Sequence, residues 1–182
     1  MKKLLVILFC ICFYTAANAQ HDHHASKNDS VKAKSPRTSA MAMIGENHVH
    51  IDYGSPSVRG RSIWNGLVAY NQVWATGAHK ATWIEFSEDV KINNQLIAKG
   101  KYGFFTIPNK KKWTIIISKD WDMHLADDYK PENDVTRINV KSKKNKALVE
   151  ALTYEVIKTG EKEGIIKMSW GNLNVSFNFE NK

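Results

Sequence analysis

The chain has 182 residues, is 43% hydrophobic and 24% charged, and carries a formal net charge of +8. That length suits one domain, and the composition excludes a disordered, collagen-like or wholly membrane-embedded chain. Lys2 and Lys3, the apolar run 4–14 and Ala17-Asn18-Ala19 are the n-region, h-region and cleavage site of an export signal, with cleavage expected after Ala19. The run is shorter than the about 20 residues a membrane span needs, and no later segment is long and apolar enough. Both cysteines, Cys10 and Cys12, lie in this leader, so the mature chain is expected to hold its core without a disulfide. Phe9 and Ile11 precede them where lipid attachment needs a small residue, so the expected location is periplasmic or secreted, not lipid-anchored. Losing residues 1–19 removes two lysines and no acid, leaving +6. Outside the cytoplasm a nucleic-acid partner is not expected. The lysine clusters at 110–112 and 141–146 are read as solvated turns.

Residues 20–36 are polar and aperiodic and read as a disordered arm. The arm holds His21, His23 and His24, a tract suited to loose, unselective metal binding. It also holds Asp29-Ser30-Val31, which resembles a short bacterial O-glycosylation pattern. The domain, 37–182, opens on alternation: Val49, Ile51 and Tyr53 share one face of a strand at 48–53, with His48, His50 and Asp52 on the other. Residues 41–44 are expected to pair with it across Gly45-Glu46-Asn47. An aromatic-rich stretch without period follows at 54–81, long for a loop, and such loops often carry function. Strands are then predicted at 82–87, at 90–92 and 95–97 about an Asn93-Asn94 turn, and at 102–107, 113–118 and 136–140. A second long, acidic loop spans 120–133. Residues 147–158 read mainly as strand, and 165–179 as a hairpin turning at Gly171-Asn172. The whole predicts an all-β fold, a single antiparallel β-sandwich with long loops at one end. The spacing does not choose between jelly-roll and immunoglobulin-like topology.

Ser35-Pro36-Arg37, the run 55–61 (SPSVRGR), Leu67-Val68-Ala69-Tyr70, the run 73–78 (VWATGA), Asp89-Val90 and the run 100–108 (GKYGFFTIP) together resemble the "domain of unknown function 2911" family. The resemblance runs from about residue 35 to 179. It implies an exported, mostly bacterial protein and no catalytic residue, because the family has none assigned. Two departures stand out. The family usually has Trp-Arg-Thr-Gly-Ala-Asn where this chain has the run Trp74 to His79, and Pro and Gly in place of Ala69 and Asn71.

Two constellations suggest chemistry. Arg59, Arg61, Trp64, Tyr70, Trp74, Thr76 and His79 gather arginines and aromatics in one loop region, which suits a carboxylate, phosphate or sugar ligand. The competing reading makes the tryptophans a plug, with Arg61 paired to Asp134 and Arg137 to Asp89. His48 and His50 stand about 7 Å apart at the backbone and can chelate zinc or copper if Asp52, His79 or His124 joins them. The competing reading is a plain exposed strand face. Nucleophilic, glycosidase and phosphate-loop patterns are absent from the sequence. No cofactor is required. The expectation is a non-enzymatic exported module that binds a small anionic or carbohydrate ligand or an envelope partner. The alternative is a metal-binding protein or metal-assisted hydrolase using His48 and His50.

Overall fold

The computed structural model describes residues 34–182. The expected export signal, the tract of His21, His23 and His24, and Ser30 lie outside the described residues. The strands in chain order are β1 (Arg37–Ile44), β2 (Asn47–Gly54), β3 (Trp83–Phe86), β4 (Val90–Ile92), β5 (Gln95–Ile97), β6 (Gly100–Ile107), β7 (Lys112–Ser118), β8 (Asp134–Lys141), β9 (Lys143–Lys158) and β10 (Glu163–Asn181). They form two antiparallel sheets packed as a sandwich, ordered β1-β2-β3-β6-β7-β8 and β5-β4-β10-β9. The larger sheet is a meander, interrupted only where the β4–β5 hairpin crosses to the smaller sheet. β1 packs against β9 and β8 approaches β10, so the sheets lean together at both sides. Among the described residues no helix is long and apolar enough to cross a membrane.

Side-chain period explains the layers. Val49, Ile51 and Tyr53 of β2 point into the sandwich and are buried, with Ile84, Phe104, Ile115 and Ile117 beside them on the same sheet. Leu152, Tyr154, Met168 and Phe177 come from the opposing sheet. Each such side chain contributes about 1.5–3 kcal/mol by leaving water. β6 and β7 do not alternate in character, because their outer face is covered too. Phe105 and Ile116 point outward into a second, smaller apolar cluster with Ala75, Ala81 and Met123. The loop 119–133 therefore lies across the sheet as a cover, ending in a 3-10 turn at Pro131–Asn133.

Three expectations are corrected here. The first hairpin turns on two residues, not three: Ile44 pairs with Asn47, and Asn47 is fully buried. The expected hairpin at Gly171-Asn172 does not form, since β10 runs straight through as one long strand. Gly171 instead sits at φ +59 between two register shifts against β9. There the Asn145 amide donates to the carbonyls of Gly171 (3.1 Å) and Leu173 (2.9 Å). A side chain thus takes carbonyls that the shifted ladder leaves open. Third, the ion pairs differ. Arg137 pairs with Asp134 at 2.6 Å rather than with Asp89, and Arg61 pairs with no carboxylate among the described residues. Asp89 instead accepts the Lys99 amide.

Buried phenols give the fold a pH limit. Tyr154 is buried, donates to the Thr76 carbonyl at 2.9 Å, and is held well above its ordinary pKa by burial. Burial, with the Asp134 carboxylate beside it, pushes Tyr129 up to about 12. The folded state keeps protons that the unfolded chain loses near pH ~10, so this stability is full below that pH and falls as pH rises through the folded values. Urea midpoints are expected to stay flat through neutral pH and to drop above pH ~10. Tyr154→Phe should start lower and fall less steeply over that range. A parallel fall in both proteins would place the alkaline sensitivity elsewhere.

Candidate functional site

One end of the sandwich holds a groove of about 610 Å³. Its wall comes from the 55–82 segment, which is tied down before it reaches the groove. Val58 donates to the Glu150 carbonyl at 2.8 Å and Leu152 to the Pro56 carbonyl at 2.9 Å, so this stretch adds to the free edge of β9. The chain then folds back on itself, with the Val68 amide on the Ile63 carbonyl at 2.9 Å. Asn65 and Asn71 take left-handed backbone at φ +59 and +61, which Asn tolerates. This loop presents Arg61, Ser62, Trp64 and Tyr70 to the groove, Lys110 enters from the β6–β7 turn, and Asn172 from the bulge of β10.

The groove rests on a tryptophan cluster. Trp64 meets Trp113 edge-on with ring centres 4.8 Å apart, and Trp74 stacks on Trp170 at 5.8 Å and 22°. Trp113 and Trp170 are buried, and the indole N–H groups of Trp64, Trp113 and Trp170 have no hydrogen-bond partner. The ring of Trp64 meets those of Trp113 and Trp170 edge to face, an arrangement aromatic pairs prefer. Above this apolar base, Arg61 donates to the carbonyls of Val58 (3.1 Å) and Ser57 (2.5 Å). Two backbone acceptors fix the guanidinium without neutralising it. No Asp, Glu, His or Cys lines the groove.

The seven candidate residues therefore separate. Arg61, Trp64 and Tyr70 come together, while Trp74 lies beneath them with its N–H spent on the Gly77 carbonyl at 3.1 Å. Thr76 is fully buried at φ +50 and bonds to the Trp74 carbonyl and the Thr106 hydroxyl, so it is structural. Arg59 reaches the Lys34 carbonyl at 2.5 Å, away from the groove. His79 is exposed at φ +65 beside Leu125, whose amide donates to its carbonyl at 2.7 Å, and takes no part in the groove. Sequence reasoning misses Lys110 and Asn172, which read as ordinary turn residues. The signal was Pro108 ahead of the lysines, since the Asn71 amide docks on the Pro108 carbonyl at 2.9 Å and brings that turn to the loop.

His48 and His50 do share the outer face of β2, with ring centres 5.9 Å apart. Among the described residues no group of three His, Cys, Asp or Glu is arranged to hold a metal ion. Asp52 is taken by Arg37, and His124 bonds to Asp127 at 3.0 Å.

Fold and groove together define a two-sheet antiparallel β-sandwich with a basic, aromatic groove at one end. The chain belongs to the family described as "Protein of unknown function (DUF2911)", whose profile matches residues 35–179. No curated protein and no solved structure matches it. Positions 71 and 79 take left-handed backbone at φ +61 and +65, a conformation that Gly and Asn adopt at least cost.

Proposed function

We propose that this is an exported, non-enzymatic binding module whose end groove takes a small carboxylate- or phosphate-bearing ligand, acidic sugars included. The observation that carries this reading is that Arg61 and Lys110 share one groove lining with Trp64 and Tyr70 and with no carboxylate. Cations left without a carboxylate partner on an apolar wall suit an anion with a flat or ring-shaped body. A lining without Asp, Glu, His or Cys lacks the commonest general bases and any thiol nucleophile, which favours binding over turnover. Calorimetric titration with phosphate monoesters, dicarboxylates, uronic acids and neutral sugars tests it. Lys110→Ala and Arg61→Lys are each expected to weaken the binding ligand roughly tenfold to a hundredfold, the loss of a charge-assisted hydrogen bond. Lys110 is exposed, so its substitution should change stability within about 0.5 kcal/mol. A panel in which nothing binds, or a ligand that both variants hold as well as the parent, removes the proposal.

A further inference from the structure

The two-residue turn of the first hairpin sets a register with a chemical consequence. It places Met43 opposite His48 and Met41 opposite His50. Residues directly opposite in an antiparallel pair share a face, with Cβ atoms about 4.5–5.5 Å apart. Ala42 and Val49, the pair between them, point to the core side instead. A two-by-two block of thioethers and imidazoles therefore stands on the outer face of β1 and β2.

This block is open to solvent on its sulfur side. Met41 and Met43 are 55% and 53% exposed, unusual for residues that pack well in a core. Neither buries its side chain usefully there. The Nε2 atom of His50 is covered by its neighbours and has no hydrogen-bond partner. His50 is also held in place, edge-on to Trp83 at 4.9 Å. The face of Trp83 already carries the Lys101 ammonium at 4.1 Å, so the indole is not counted among the donors.

Donor chemistry selects the ion. Zinc prefers thiolate, imidazole and carboxylate in a closed tetrahedron, and although Glu85 stands opposite His50 on β3, the described residues hold no group of three His, Cys, Asp or Glu arranged for a metal ion. Thioether sulfur is a soft donor that favours monovalent copper, and imidazole serves copper as well. We propose that Met41, Met43, His48 and His50 form a surface site for a soft monovalent cation, Cu(I) or its analogue Ag(I). The site is separate from the end groove, and its fate does not depend on what the groove binds.

Silver is the probe, because it does not change oxidation state. The full chain carrying C10S and C12S removes the two thiols that would outcompete a thioether, and residue-resolved signals separate this site from His21, His23 and His24. Ag(I) is expected to move the methyl resonances of Met41 and Met43 together with the imidazole resonances of His48 and His50, leaving Met123 and Met168 unmoved. M41L with M43L keeps the apolar bulk and removes both sulfurs. It should weaken the silver binding seen at His50 by at least the about 10–100-fold that loss of a supporting ligand costs. Methionine signals that stay fixed while silver is taken up overturn the assignment. So does undiminished silver binding at His50 in the double variant, or Zn(II) moving His48 and His50 as tightly as Ag(I).

Discussion

Trp113→Ala is expected to destabilise the domain by about 3–5 kcal/mol, with a melting temperature lower by roughly 10 °C. Trp113 is fully buried and its ring supports Trp64, so truncation opens a cavity directly under the groove wall. The surrounding strands cannot collapse into it, because Ile115 and Ile117 on the same strand are held in the same core. Trp113→Phe should cost much less. It loses part of the ring but also removes an indole N–H that has no partner. Chemical denaturation of both variants decides the matter. If alanine and phenylalanine prove equally costly, shape and volume are not what this position supplies.

The second large effect is expected at Asn47. Its amide oxygen accepts the backbone N–H groups of Ser87 (3.0 Å) and Glu88 (3.2 Å), and its amide nitrogen donates to Asn181 at 2.8 Å. Asn181 in turn donates to the Ile44 carbonyl at 2.6 Å. One buried side chain thereby joins the first hairpin, the β3–β4 connection and the last strand of the opposing sheet. Asn47→Ala strands several of these groups at once, and each buried unsatisfied group costs about 1–3 kcal/mol, so a loss of about 3 kcal/mol is expected. Urea unfolding should remain a single transition at a lower midpoint. A loss below about 1 kcal/mol would mean that water replaces the amide and that the junction is not buried in solution.

Much of the fold was legible because alternation is a local property. Val49, Ile51 and Tyr53 announced a half-buried strand, and Asn93-Asn94 announced a turn that does take left-handed backbone at both residues. The misreadings came from features that local sequence does not distinguish. Gly171-Asn172 has the residues of a tight turn, yet a bulge needs the same positive φ. The length of the first turn was hidden because Asn47 looks like a turn residue, while its role depends on Asn181 at the far end of the chain.

That single-residue difference also concealed the methionines. A three-residue turn would place Met43 opposite Val49 and leave the histidines facing Ile44 and Ala42, whereas the observed register aligns sulfur with imidazole. The groove was half legible for a comparable reason. Arg61, Trp64 and Tyr70 are close in sequence and could be grouped from it. Lys110 arrives from a turn of the larger sheet and Asn172 from a bulge in the smaller one, and only the packing of those sheets brings them there.

The cover that loop 119–133 lays over Phe105 and Ile116 has a consequence for how the molecule opens. Its own apolar anchors are few: chiefly Met123, with Ala126 and Tyr129 only partly buried. The main core lies on the other side of the sheet and shares no side chain with it. Such a cap can detach as a separate cooperative unit at a fraction of the global free energy. Amide hydrogens of residues 119–130 should then exchange with solvent deuterium well before those of β6 and β7 beneath them. In that opened form the protein would expose a strip of phenylalanine and isoleucine while its sandwich stays intact, so its stickiness on heating would be governed by the cap and not by the melting of the fold.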